Sequence, residues 1–198
     1  MADERFDRTT YTVRRKVLKL VGGAFHIFGD DTTPLFYAKM KAFTLREDIR
    51  LYTGEDMTQE VLSINARKII DFAAAYDVVD ASDGSKVGAL KRKGWKSMLR
   101  DHWILMGPQD QEIGTVREDT GGLAFARRFL PLVALFAPQR YDFEVGGRVV
   151  ATAQQNHNIF VYKLTLDFGA DQARVLDRRL AIAAALLFAA IERKQRSG

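Results

Sequence analysis

The stretch LDRRLAIAAALLFAAIERKQR, residues 176–196, decides the fold. Between Leu180 and Ile191 no side chain carries a polar atom. The run consists of alanine and leucine-like residues, which favour helix. At about 100° per residue, Leu180, Ile182, Leu186, Leu187, Phe188 and Ile191 spread around most of the helical wheel, with alanines in the gaps. A helix that is apolar all round is buried in protein or in lipid. Length separates the two: crossing a bilayer takes roughly 20 apolar residues, whereas runs of about 10–14 are more often core. This run is of the shorter kind, closed by Arg178-Arg179 on one side and Glu192-Arg193-Lys194 on the other. An interfacial helix would present one polar face, and this one has none. Burial within protein is therefore expected. Asp171 is read as its N-cap, and Arg193, Lys194 and Arg196 at the far end suit the helix dipole.

What could bury it is legible upstream. From Tyr11 to Phe168 short β-like runs alternate with turn signals. YTVRRKVLKL places Tyr11, Val13 and Val17 on one parity, and LFYAKMKAF does the same for Phe36, Ala38, Met40 and Ala42. YDVVD and KVGALKRK flank ASDGS, whose Asp-Gly pair is a strong hairpin signal. DHWILM and EIGTVRED are joined by GPQDQ, and RYDFEV and RVVATAQQ by Gly146-Gly147, a pair free to take the positive φ of a primed turn. The last candidate is NIFVYKLTLDF, residues 158–168. In all there are about twelve strand candidates, with one helix-like interruption, GGLAFARRFLPLVALF at 121–136. Short, evenly spaced strands argue for an antiparallel barrel or sandwich. A closed antiparallel barrel of about twelve strands enclosing the C-terminal helix satisfies both halves of the pattern, because closure also removes exposed edges. Residues 1–10 are read as a flexible N-terminus and 11–196 as one domain, a size that 198 residues accommodate.

Composition narrows the chemistry. Cysteine is absent, which excludes disulfides, thiolate metal sites and cysteine nucleophiles. The opening MADERFDRTT has no apolar core of a secretory signal. The formal charge of +5 permits an acidic partner without requiring one. His26, His102 and His157 are dispersed and lack metal-ligand spacing. No G-x-S-x-G, P-loop or dinucleotide fingerprint occurs. No catalytic residue, metal site or cofactor is expected, and the protein is read as non-enzymatic.

The segment YDVVDASDGSKVGALKRKGWKSMLRDHWILMGPQDQEIGTVRED resembles the central part of the LURP-one-related family, in which a Y-x-V-x-D strand precedes G-x-K-V-G and S-x-x-R-D-x-W. VVATAQQNHNIFVYKLTLDF and LDRRLAIAAALLFAAIE are similar to that family's closing strands and helix. The resemblance spans roughly Tyr11 to Glu192 and implies the tubby C-terminal-like fold, shared with phospholipid scramblases, in a bacterial member of the family. It also implies a weaker functional expectation, since tubby domains bind phosphoinositide head groups through basic residues on the outer barrel surface. A scramblase-type mechanism fits less well: there is no cysteine to palmitoylate, and DVVDASDGS lacks the bidentate Glu of a calcium loop.

The strongest candidate for such a contact is KRKGWKSMLR, where Lys91, Arg92, Lys93, Lys96 and Arg100 crowd around Trp95. Cations attract an anionic head group, and Trp favours a membrane interface. The competing reading is a strand end with Trp95 packed under a loop. Strand parity also sets Lys91 and Lys93 apart from Arg92. The expectation is a cytoplasmic protein that attaches peripherally to anionic phospholipid at the inner membrane face, without a transmembrane segment. The alternative is a cytosolic scaffold or small-ligand module with no membrane role. Nucleic acid ranks below lipid, because the aromatics lie on apolar alternating faces and form no basic-aromatic platform.

Overall fold

The apolar helix sits inside a ring of strands. In a computed structural model of the chain, twelve antiparallel strands close into a barrel around the C-terminal helix. The structure describes residues 3–15, 23–40, 48–67, 75–92, 102–119, 139–156 and 161–197, with helix side chains as far as Ala190. The strands are β1 (Thr10–Arg15), β2 (Gly23–Phe28), β3 (Pro34–Met40), β4 (Asp48–Tyr52), β5 (Glu60–Ala66) and β6 (Ala75–Asp80), followed by β7 (Lys86–Arg92), β8 (His102–Met106), β9 (Glu112–Glu118), β10 (Arg140–Val145), β11 (Arg148–Gln155) and β12 (Lys163–Asp167). The helix, α1, is Arg178–Ser197. Each strand pairs with its sequence neighbour, and β1 closes the ring on β12, with Val13 opposite Leu164 and Tyr11 opposite Leu166. Among the described strands, closure leaves no row of unpaired backbone groups.

Alternation sends one parity of each strand inward. Val13, Phe25, Phe36, Ile49, Leu90 and Leu164 are all fully buried. Against them lies α1, whose residues from Leu180 to Ala190 are at most 4% exposed. It touches β1, β6, β7 and β12. The alanines are what let a helix fit this bore: a bulky residue in their place would overpack the interior. Phe188 fills the wider part, stacking on Tyr141 at 4.4 Å between centroids and meeting Trp103 at 5.7 Å. Where wall and helix come closest, Gly88 has no side chain to place; a Cβ there would collide with the Met106 carbonyl oxygen and lie 3.3 Å from Leu180.

The hairpins follow their turn chemistry. Gly146 and Gly147 both have positive φ, 58° and 76°, as the type I′ pattern requires. Gly84 takes φ 71° between β6 and β7, while Asp80 Oδ1 accepts from the Ser82 amide. The final strand departs from expectation. It begins at Lys163, with Val161 and Tyr162 outside it and 158–160 outside the described residues; the Asn156 amide donates to the Lys163 carbonyl, and the Lys163 amide donates to Asn156 Oδ1 at 3.1 Å. The helix expected over 121–136 lies outside the described residues.

The helix entrance corrects another expectation. Asp171 is not the N-cap of α1. That position is held by Asp177, whose Oδ1 accepts from the Arg179 amide at 2.9 Å and whose carbonyl accepts from Ala181. Asp171 instead organises the preceding turn. Its carboxylate, 1% exposed, accepts from the amides of Val175 and Leu176 and from Arg178 Nη1 at 2.5 Å. That turn occupies the chain between Phe168 and Leu176, and the helix starts only after it, at Arg178. The first turn of α1 holds no acidic residue, so Arg178 and Arg179 stand at the positive end of the helix dipole. Asp171, Asp177 and Asp80 supply the missing negative charge, with Arg179 reaching Asp80 at 2.7 Å. The Arg178 guanidinium also lies 4.1 Å over the Phe168 ring. Burial opposes ionisation of Asp171, but Arg178 and the two amides outweigh it and hold its carboxyl below the usual range.

Both the bore and its entrance can be tested by substitution. Leu187→Asp places an unpaired charge in the bore and should abolish the cooperative unfolding transition and the native circular dichroism spectrum. Leu187→Ala should keep the fold and lose about 2–5 kcal/mol in denaturant titration; a soluble, cooperatively folded Leu187→Asp protein would rule out an enclosed helix. Asp171→Asn should cost about 3–5 kcal/mol at pH 7, because it leaves Arg178 nearly buried and unpaired. The stabilisation from ionised Asp171 is present above its ordinary value of 3.8 and is lost as pH falls through its lowered folded value. The stability gap between wild type and Asp171→Asn should therefore narrow on acidification, as measured by denaturant titration between neutral and acidic pH.

Candidate functional site

The basic run nominated from sequence does not converge in the part that is described. Lys91 and Arg92 end β7, whereas Lys93, Trp95, Lys96 and Arg100 lie outside the described residues. Lys91 is exposed, with Ala75 and Ile104 as its cross-strand neighbours. Arg92 points to the other side, its guanidinium 6.0 Å from the centroid of the buried Trp103 ring. Strand parity divides the two residues, as the period of two requires.

The motif residues around this run hold the helix. Asp80, which ends the Y-x-V-x-D strand, binds Arg179 of α1 and the Ser82 amide of its own turn. Burial raises its carboxyl, and Ser82 and Arg179 more than offset that, leaving it lowered. Tyr76 leans on Trp103 at 6.0 Å, and Trp103 on Phe188 of the helix. Gly88 provides the close approach to Leu180. These side chains are accounted for by packing.

The closed register assembles a different cationic group. On the outer face, Lys163 of β12 stands directly opposite Arg14 of β1, and Arg14 directly opposite His26 of β2. Directly opposed side chains have Cβ atoms about 4.5–5.5 Å apart. His26 Nε2 is 2.6 Å from Glu55 Oε1. Arg14 and Lys163 have no carboxylate within ion-pairing distance among the described residues. Two residues along the same face, Thr12 and Thr165 are also opposed, with their hydroxyl oxygens 3.3 Å apart. This face therefore offers two like charges and two hydroxyls in one plane. No single stretch of sequence signals it, because its members are far apart in the chain and meet only when β1 closes on β12.

Some other outer cations are matched. Arg67 and Lys86 share Asp77 and Asp110, and Arg50 bridges Asp48 and Glu60. Burial raises the Asp77 carboxyl, and Arg67 and Lys86 overcome that and lower it.

A second feature lies at the rim where the chain enters the bore. A pocket of about 710 Å³ opens there, walled by the N-terminal 3-10 turn Glu4–Phe6 with its flanks, the start of β5, the β6–β7 turn, and the β12–α1 link. Phe6 stacks on Phe36 at 4.7 Å, and Tyr11 ties the turn down, its hydroxyl donating to the Arg5 carbonyl and accepting from the Arg8 amide. Burial pushes that phenol up to about 12. Five carboxylates and four guanidiniums line the pocket. It is a charge mosaic, not a basic concavity.

No described helix is long and apolar enough to cross a membrane. Among the described residues no three His, Asp or Glu side chains are placed to share a metal ion. No curated protein and no solved structure matches the chain. A family model described as LURP-one-related matches residues 34–188, which takes in the β3-to-α1 body of the barrel and the motif residues that grip the helix. The chain belongs to the LURP-one-related family.

Proposed function

We propose that this LURP-one-related domain is a non-enzymatic, cytoplasmic, peripheral binder of anionic phospholipid or phosphoinositide-type head groups, and that the outer face of β12, β1 and β2 is its contact surface. The observation that carries this is the direct opposition of Arg14 and Lys163 with no described carboxylate between them. Like charges opposed across strands destabilise a sheet. A phosphate seated over the pair relieves that repulsion, and the Thr12 and Thr165 hydroxyls beside it supply further donors. Lys91 and the remaining residues of its run are not needed for this contact.

The test is flotation with vesicles of phosphatidylcholine alone and of phosphatidylcholine mixed with phosphatidylserine or a phosphoinositide, at low and high salt. Wild type should float with the acidic vesicles at low salt and be released at high salt, since exposed charges are screened. Arg14→Gln combined with Lys163→Gln should lose about 2 kcal/mol, roughly thirtyfold in partitioning, at about 1 kcal/mol per cation near an anionic surface. Equal binding to neutral vesicles, or a double variant that floats as well as wild type, would refute the assignment. No flotation at all would favour a scaffold or small-ligand module without a membrane role.

A further inference from the structure

We propose that the rim pocket is a binding site for short zwitterionic peptides, gated by the Asp7–Arg174 ion pair. It lies on a different part of the barrel from the Arg14–Lys163 face and does not depend on the head-group reading. Its volume of about 710 Å³ falls within the range of small-molecule pockets, roughly 300–1,000 Å³.

The charge pattern selects the ligand. A simple anion entering the pocket meets five carboxylates, and a simple cation meets four guanidiniums. A molecule carrying one charge of each sign can satisfy both. Most of the lining ions are committed: Arg5 binds both oxygens of Asp3, Arg179 binds Asp177 and Asp80, and Arg178 is locked to buried Asp171. Asp7 and Arg174 differ. Their side chains are 56% and 62% exposed, and they meet through a single contact, Arg174 Nη1 to Asp7 Oδ1 at 2.6 Å. An exposed pair of this kind adds little stability and opens easily. It also joins the N-terminal turn to the β12–α1 link, so breaking it widens the mouth.

The backbone under Arg174 is built for this position. Arg174 has φ 52°, in the left-handed region that non-glycine residues rarely occupy. Asp171 holds that turn from beneath: its carbonyl accepts from the Arg174 amide and its carboxylate from Val175 and Leu176. Strain sustained by a buried carboxylate, with an exposed guanidinium as its product, is the pattern of a functional position. In the assigned pose the peptide carboxylate takes Arg174, and its ammonium takes Asp7 and Glu60, which engages Arg50 through Oε1. The side chain packs on the part-exposed Phe6 of the pocket wall.

The experiment titrates the full-length protein with glycylphenylalanine, its N-acetyl form and its C-terminal amide, following backbone amide shifts by NMR and affinity by calorimetry. The unblocked dipeptide should shift amides around the pocket, and each blocked form should bind at least about tenfold more weakly, for loss of one charge-assisted contact. Arg174→Gln should weaken the dipeptide about tenfold and make it equal to its amide, and Asp7→Asn should narrow the gap between the dipeptide and its N-acetyl form, with Glu60 still holding part of the ammonium, the coupling expected of direct pairs. Blocked forms that bind as well as the free dipeptide, or no shift at pocket amides at millimolar dipeptide, would overturn the proposal. The blocking series on wild type distinguishes these outcomes even if a variant fails to fold. Flotation through Arg14 and Lys163 is unaffected by either result.

Discussion

Everything in this molecule depends on one constraint: an all-apolar helix has to be kept from water by the sheet around it. Burying each leucine or phenylalanine contributes about 1.5–3 kcal/mol, and α1 buries side chains on every face. A one-sided layer would leave half of that surface wet. A closed barrel covers all of it and removes the sheet's own edges in the same step. The alanines between Ala181 and Ala190 set the bore, and Gly88 marks the point where wall and helix touch without room for a side chain.

That enclosure creates an electrostatic problem at the point of entry. The helix begins with two arginines at its positive end, in a rim that is partly dry. The chain answers with carboxylates from three places: Asp171 from the link, Asp177 from the cap and Asp80 from the β6–β7 turn. Asp80 belongs to the Y-x-V-x-D motif that carries the family resemblance, and its part is to hold the helix in place. Asp80 and Asp177 also line the rim pocket, so the device that seats the core also produces a strongly polar concavity. Asp7 and Arg174 sit outside these locked pairs, as an exposed ion pair at the same pocket.

Much of the architecture is legible in the sequence because it rests on local periodicity. Alternation places Val13, Phe36, Ala38 and Leu164 inward, Asp-Gly and Gly-Gly mark two hairpins, and the length of the apolar run argues for a core helix. The misreadings come from interactions that local pattern does not encode. Asp171 looks like a cap because it precedes the helix, yet it holds a separate turn and Asp177 caps the helix. Val161 and Tyr162 fall outside β12, where the Asn156 side chain takes the Lys163 amide, a polar contact no hydrophobic period registers. Of the cations from Lys91 to Arg100, Lys91 and Arg92 are on β7 and face opposite sides, as adjacency on a strand requires, and the others lie outside the described residues.

By itself the sequence determined most of the strands, their inward parity and the need for a surface that wraps the last helix. Those follow from side-chain period and from the free energy of apolar burial, both properties of short segments. Only the tertiary structure decided which charges meet. Arg14 and Lys163 oppose one another because β1 closes on β12, and Asp7 meets Arg174 because the N-terminal turn folds over the rim. Contacts between residues more than a hundred positions apart are set by ring closure and register, which belong to the whole barrel and to no one stretch of it.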